Sequence, residues 1–435
     1  MRLTKRAPQI VIGTSTFDGD ADWLDRTAFG QKLSNLVDAL DSPTVIALDG
    51  EWGSGKSHFL KLWVGAHKLQ FKGHAEVVYF DAFKEDFLDD PLISLVAAIA
   101  PVTEPEGKLA QAGKTLRRLA LPLAKGGARI GLAAASYGAT AAVEGVWDSV
   151  ALAAGGEAQK VVDDIDKLWA QEATKRAAME AFQNTLRTLV ETSAEGAPAQ
   201  KLVIIIDELD RCRPDYALSL LETIKHFFAV DGVHFVLGVN LSELENSVKA
   251  RYGAGCDATM YLRKFITLMA HLPDLQDRAG KVITVPAYAE KIAKAYDFEE
   301  EIAKAFVGWI EARNSKKPLT LREIGRCAQR FALVAPNLAG KRRDWVGAVT
   351  AVTIVDVVEP EMGKRLRRQD FNGETLNSCF SGGVSEKWNF DMLLRLTTAD
   401  WDARAEGDAY LSDYNKDGLR QIYTDYIDTW LPIKS

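Results

Sequence analysis

The chain has 435 residues, 47% hydrophobic and 26% charged, with a net charge of −7. That length suits two or three packed units of ordinary globular composition, and the acidic balance argues against a chain devoted to coating nucleic acid. The four cysteines, Cys212, Cys256, Cys327 and Cys379, are scattered and match no zinc spacing and no C-x-x-C, the pattern of free thiols in a reducing compartment.

In chain order, the opening residues read as a short loose segment. They lack the apolar stretch of a secretory signal, so a cytoplasmic chain is expected. Residues 22–40 carry apolar side chains at helical spacing and end near Asp41-Ser42-Pro43, which predicts a helix. "TVIALDG" (44–50) is a short β-rich run that stops at a glycine loop, and residues 56–70 return to helical spacing; strand, loop and helix follow in that order. A second strand is predicted over 75–83 and a helix over 90–100. Residues 101–200 are helical in character and rich in alanine and glycine, with a long charged amphipathic helix over 163–193. The longest charge-free run, Ile130 to Val143 within the stretch 119–156, is shorter than the ~20 apolar residues a bilayer requires. A helical insert is therefore the reading, and membrane association through 119–156 is not the expected one. Further strands are predicted in "QKLVIIIDELDRC" (200–212), an apolar β-branched run ending in acids, and over 232–240, with a helix over 215–230 between them, and the pattern is helical from about 285 onward. Strands alternating with helices imply a parallel sheet covered on both faces.

The chemistry is concentrated in two motifs. Residues 50–57 read Gly50-Glu51-Trp52-Gly53-Ser54-Gly55-Lys56-Ser57, followed by His58. In this G-x-x-x-x-G-K-[ST] frame the glycines let backbone N–H groups turn inward around phosphate oxygens, Lys56 reaches the β- and γ-phosphates, and Ser57 ligates Mg²⁺. The phosphates do not require Trp52, whose indole would block the nest if it pointed inward; it is expected to pack outward, on the sheet edge, the insert or a neighbouring subunit. The second motif is "LVIIIDELD" (202–210). Asp207 ends an apolar strand and suits Mg²⁺, and Glu208 is placed to orient or deprotonate a water in line with the γ-phosphate. GTPases and many small-molecule P-loop kinases lack that second acid. A GTPase would also need N-K-x-D after a strand, and "NKDG" (415–418) has its aspartate one place early. ATP and water are the favoured reactants. Asn240, at the end of the next strand, is a candidate γ-phosphate sensor, and Arg322 in "PLTLREIGR" (318–326) is a candidate lid arginine. Arg211, Arg251 and Arg263 are candidate fingers acting on a neighbouring subunit, which sequence does not rank.

These stretches together resemble the KAP family of P-loop NTPases. The resemblance is carried by "DRTAF" (25–29), "IALDGEWGSGKSHFL" (46–60), "VYFDAFKEDFLDDP" (78–91), "VIIIDELDRCRPDYALSLLETIKHFF" (203–228), "YLRKFI" (261–266, with Lys264) and "LTLREIGRCAQRF" (319–331). It implies ATP hydrolysis, a helical insert between the two nucleotide motifs, and a helical region behind the core. It also implies bacterial relatives linked to anti-phage defence, some acting with an effector protein. The chain departs from the family's frequent Asp-Asp at Asp207-Glu208, which keeps the acid, and from its frequent aspartate at Asn240.

"DYNKDG" (413–418) matches the first half of a calcium loop, but the twelfth position is Thr424 rather than Glu, so an Asx-rich turn is expected. Lys341, Arg342, Arg343 and Lys364, Arg365, Arg367, Arg368 form two basic clusters that read as solvated helix faces. A nucleic-acid partner is thus left unsupported by net charge.

The expected fold is α/β: a P-loop NTPase with a parallel sheet flanked by helices, a helical insert and a helical C-terminal region. The expected units are residues 1–100 (first part of the core), 101–200 (insert), 201–284 (second part of the core), 285–345 (lid-like) and 346–435 (helical, role unassigned). The expected function is an ATPase using ATP and Mg²⁺ to drive a change of shape or assembly, as a homo-oligomer with an effector partner. A nucleotide-gated scaffold and a P-loop phosphotransferase are the alternatives.

Overall fold

The computed structural model describes residues 10–18, 21–88, 90–99, 179–188, 190, 201–341, 343–368, 379–380 and 422–427. The stretch 119–156, "DYNKDG" and Arg342 lie outside the described residues.

Helix α1 (Thr27–Ala39) leads into strand β1 (Thr44–Asp49), the glycine loop and helix α2 (Lys56–Leu69). Strand β2 (Glu76–Asp81), the single turn α3 (Ala82–Glu85) and helix α4 (Pro91–Ile99) follow. Residues 179–188 are helical. Next come β3 (Leu202–Asp207), a 3₁₀ turn (Leu209–Arg211), α5 (Pro214–Phe227), β4 (Val233–Val239), α6 (Leu241–Tyr252), α7 (Ala258–Leu262) and β5 (Leu268–His271). The remainder is helical: α8 (Thr284–Ala295), α9 (Glu300–Lys316), α10 (Leu321–Val334), α11 (Arg343–Val358) and α12 (Pro360–Arg367).

The five strands are parallel in the order β2-β3-β4-β1-β5. Strand β4 therefore lies between β1, which feeds the glycine loop, and β3, which carries the acids. Every residue of β3 and β4 is buried, as central parallel strands covered on both faces must be. Alternation divides them: Val203, Ile205 and Val236 pack with Phe59, Leu60 and Trp63 of α2, whereas Ile204, Ile206, Phe235 and Leu237 pack with α4 and α5. Phe182, Leu186 and Val190 join that second core, so the end of the insert region is built into the NTPase core. Strand β5 was not legible as a strand. It is a four-residue edge whose Leu268 and Met269 are exposed, without the buried β-branched run that marks the others.

The register brings Asp81, Asp207 and Gly238 level, with Asp49 opposite Val239. Three carboxylates thus sit at the carboxyl edge of the sheet, where parallel α/β sheets place their ligand crevice. A separate core of α8 to α12, centred on Phe306, Trp309, Phe331 and Val352, lies behind. Helix α10 opens with a complete capping box: the Thr320 hydroxyl accepts from the Glu323 N–H at 3.2 Å, and the Glu323 carboxylate accepts from the Thr320 N–H at 2.8 Å. Thr320→Ala removes the first of these and leaves a first-turn N–H without its partner. It should lower stability by about 1 kcal/mol, read as an earlier midpoint in thermal or urea unfolding.

Candidate functional site

The glycine loop keeps its shape by backbone conformation. Gly53 and Gly55 have φ of +88° and +92°, in the region that side chains with a β-carbon avoid. Both are also covered at close range. A β-carbon on Gly53 would lie 2.6 Å from Arg322 Cβ, and one on Gly55 would lie 2.8 Å from Arg26 Nη1. The loop is fastened to the sheet by Gly50 N–H donating to the Val239 carbonyl at 3.2 Å. Lys56, at the start of α2, donates to the Gly50 carbonyl and, at 3.0 Å, to that of Glu51. Burial pushes the Lys56 pKa down, and the charges of Asp210, Asp49 and Asp207 oppose that shift.

The acids lie across from the loop. Asp207 is buried; its Oδ2 accepts from the Tyr79 hydroxyl at 2.6 Å and its Oδ1 from the Glu208 N–H at 3.0 Å. Burial, and then Asp207, push the Tyr79 phenol up, so it remains a donor. Gly238 on β4 completes the fit, since a β-carbon there would lie 2.6 Å from Asp207 Oδ1. Glu208 takes a left-handed conformation, φ +60°, uncommon for a non-glycine residue. Its carboxylate accepts from Arg211 Nη1 at 2.9 Å. Burial pushes the Glu208 pKa up, Arg211 pulls it down, and Asp207 and Asp81 push it up again. Asp210 is buried and accepts from the Trp52 indole N–H and from the Asn240 backbone N–H. Trp52 itself, 41% exposed, lines the cavity, and the partner of its indole is the acidic turn rather than the sheet edge, the insert or another subunit.

One cavity of about 350 Å³ gathers these groups. Trp52, Gly53, Gly55, Lys56, Ser57, Asp207, Glu208, Asp210 and Arg211 line it together with the apolar Phe17, Trp23, Leu24, Tyr288 and Leu321. Leu321 and Arg322, at the start of α10, lie directly against the loop glycines Gly55 and Gly53. Trp23 and Tyr288 pack on each other with ring centroids 5.6 Å apart and planes tilted by 51°, an aromatic patch in the lining of the cavity. Of the residues predicted for the site, Gly50, Glu51, Ser54 and Asn240 do not line the cavity. Gly50 and Glu51 take part through the carbonyls that hold Lys56. Asn240 takes part through its backbone N–H on Asp210, and its side chain makes no capping bond to α6. His58 lines the cavity, but its Nε2 donates to the Ala21 carbonyl at 2.9 Å; it anchors the N-terminal segment. Of the three finger candidates only Arg211 reaches this cavity, and it does so within its own chain, whereas Arg251 and Arg263 are exposed elsewhere.

Two contributors went unpredicted. Arg26, 7% exposed, donates from Nη2 to the Ser54 carbonyl at 3.1 Å, and burial lowers its pKa to about 10 against the opposing charges of Asp22 and Asp274. The stretch "DRTAF" was visible, but nothing local in it says that its arginine underlies a loop 28 residues on. Tyr79 likewise reads as one more aromatic in a β-run.

The oxygen-only pair Ser57 and Asp207 fits a hard divalent cation that takes its remaining ligands from phosphate and water. Among the described residues no three His, Cys, Asp or Glu side chains cluster as a metal site of their own. No described helix is long and apolar enough to cross a membrane, and the four cysteines are free.

Comparison with known proteins gives a family. The sequence profile of the KAP family P-loop domain matches residues 26–338. An uncharacterised protein of Methanocaldococcus jannaschii is 39% identical over 62 residues, 14% of this chain and 31% of that protein; the chain thus matches under a third of that relative's length. Two solved structures of the ORC2 protein of Aeropyrum pernix overlap it. The ADPNP–ADP complexes give a TM-score of 0.39 at 13% identity over 85% of this chain and 76% of that one; the ADP form gives 0.36 at 11% over 79% and 73%.

Gly53→Ala should weaken nucleotide binding by about tenfold or more, because the residue would need both a left-handed backbone and room now held by Arg322. Titration of a fluorescent ATP analogue, with circular dichroism to confirm a folded chain, measures it.

Proposed function

The chain belongs to the KAP family of P-loop NTPases, and from that premise we propose that it is a magnesium-dependent ATPase whose nucleotide state controls the helical region behind the core. One observation carries the proposal. The cavity lined by Lys56, Ser57, Asp207 and Glu208 is also lined by Tyr288, Leu321 and Arg322 of the helical region, the last two directly against the loop glycines. A nucleotide with its phosphates on the glycine loop would touch both bodies, so its arrival, hydrolysis and departure bear on how they sit together.

The residues divide the work as follows. Backbone N–H groups of the loop and the start of α2 receive the phosphates. Lys56 leaves its two carbonyls for the β- and γ-phosphates. Arg322 adds positive charge from the lid side. Ser57 and Asp207 would hold Mg²⁺, which, when bound, offsets the charge that develops on the phosphate oxygens. Glu208 accepts a proton from, or orients, the attacking water; its raised proton affinity favours that role. Tyr79 holds one Asp207 oxygen in place. The apolar lining with Trp23 and Tyr288 receives the base. ATP is preferred to GTP because the second acid is present and no base-reading N-K-x-D follows a strand.

The family resemblance supports a setting in bacterial anti-phage defence, with assembly into a homo-oligomer and control of an effector protein by the helical region. The units 285–345 and 346–435 are then the parts that report the nucleotide state.

The test is phosphate release with Mg·ATP beside direct measurement of ATP binding. Wild type should bind and turn over. Glu208→Gln should bind ATP normally with kcat lowered by about 10²-fold or more. Lys56→Ala should lose binding. Equal slow release by wild type and Glu208→Gln, with binding intact, would show a nucleotide-gated scaffold instead. Transfer of labelled γ-phosphate to an acceptor would show a phosphotransferase.

A further inference from the structure

We propose that Arg211 is a positioning residue acting within its own chain as a two-position latch: it holds the Glu208 carboxylate until ATP binds, then turns onto the γ-phosphate and releases Glu208 to the attacking water. The inference rests on the nucleotide reading of the cavity given above and assigns a role to a residue which that reading leaves unused.

The geometry limits what can move. Glu208 is held by its backbone: its N–H donates to the Gly238 carbonyl at 3.2 Å and to Asp207 Oδ1 at 3.0 Å, in a left-handed conformation. The turn that follows is held as well. Arg211 N–H donates to the Glu208 carbonyl at 3.1 Å, and buried Asp210 is tied to the Trp52 indole and the Asn240 backbone. With loop, strand end and turn joined, the adjustable part is the Arg211 side chain, 27% exposed and long-stemmed.

The chemistry gives that side chain two competing anions. Its recorded hydrogen bond among the described residues is Nη1 to Glu208 Oε2 at 2.9 Å, which leaves most of the guanidinium's N–H donors free for a second acceptor. Arg211 lines the same cavity as Lys56, and its charge is felt at the Lys56 ammonium. It therefore lies within electrostatic reach of the group that meets the β- and γ-phosphates. A γ-phosphate carries more charge than one carboxylate and matches the guanidinium fork better. While Glu208 remains paired, the guanidinium occupies one acceptor site of Oε2 and restrains the carboxylate from turning to a water. The remaining charges around Glu208 come from Asp207, Asp81 and Lys61, and from Lys84, which is paired with Asp81.

A purely structural i, i+3 ion pair would predict something different. The experiment is equilibrium binding of Mg·ADP and of a non-hydrolysable β,γ-imido ATP analogue to wild type, Arg211→Ala, Arg211→Lys, Glu208→Gln and the double variant Arg211→Ala/Glu208→Gln. The latch predicts that Arg211→Ala weakens the analogue about tenfold while ADP affinity, which also certifies the fold, stays within about twofold. Arg211→Lys should recover part of the loss. Glu208→Gln frees the guanidinium, so it should tighten the analogue about threefold, and that gain should vanish in the double variant. Equal losses for both nucleotides in Arg211→Ala, or a gain that survives in the double variant, would overturn the latch while leaving the ATPase reading intact. Absence of nucleotide binding by wild type would remove both.

Discussion

A phosphate loop without side chains leaves bare backbone that other parts of the protein must cover, and in this chain that covering organises the structure. Arg26 fills the space beside Gly55 and Arg322 the space beside Gly53. The first ties the N-terminal segment beneath the loop, and the second brings the helical region onto it. A β-carbon on Gly53 would collide with Arg322 at its own β-carbon, and one on Gly55 would push aside the end of the Arg26 side chain, so the loop's lack of side chains is a packing requirement as well as a phosphate requirement. The cost is a pair of buried cations, Arg26 and Lys56, in one small cavity. Asp22 and Asp274 face the first, and Asp210, Asp49 and Asp207 face the second. Such a site is charged on both sides before any ligand arrives, and a polyanion with a divalent cation adds a matched set of charges to it.

The acidic side is built with the same economy of movement. Asp207 is fixed from three directions, by the Tyr79 hydroxyl, the Glu208 N–H and the absence of a side chain at Gly238. The strand order explains why these three meet: β3 lies between β2, which brings Tyr79, and β4, which brings Gly238. Inserting β4 between the phosphate-loop strand and the acidic strand sets their spacing, and the indole of Trp52 spans the remaining distance to Asp210. The two nucleotide motifs are thereby coupled through side chains as well as through the sheet.

The readable parts of this arrangement were those whose signal is local. The run "TVIALDG" before glycines, "LVIIID" before acids, and the helical spacing of 56–70 each specify an element by short-range periodicity, and the observed bounds differ from the expected ones by a residue or two. The Lys56, Ser57, Asp207 and Glu208 set came together in one cavity for the same reason. What escaped were the pairings that only the tertiary fold creates. Trp52 and Asp210 are 158 positions apart and Tyr79 and Asp207 are 128 apart, and no periodicity links them. Asn240 shows a subtler gap: its position at the end of β4 was legible, but the group put to use is its N–H, which every non-proline residue carries. Strand β5 was missed because an exposed four-residue edge has no burial pattern to read.

The contact between Gly53 and Arg322 has a mechanical consequence. Helix α10 begins there and has 14 residues, about 21 Å of rigid rod, with Phe331 and Val334 at its far end inside the helical core. It is a lever whose fulcrum is the phosphate loop. A tilt of about 5° at the fulcrum displaces the far end by about 2 Å, roughly half a side-chain layer. A core packed to crystal-like density does not absorb such a shift smoothly and must settle in one arrangement or another. Small motions of the loop would thus emerge at the back of the molecule as discrete steps.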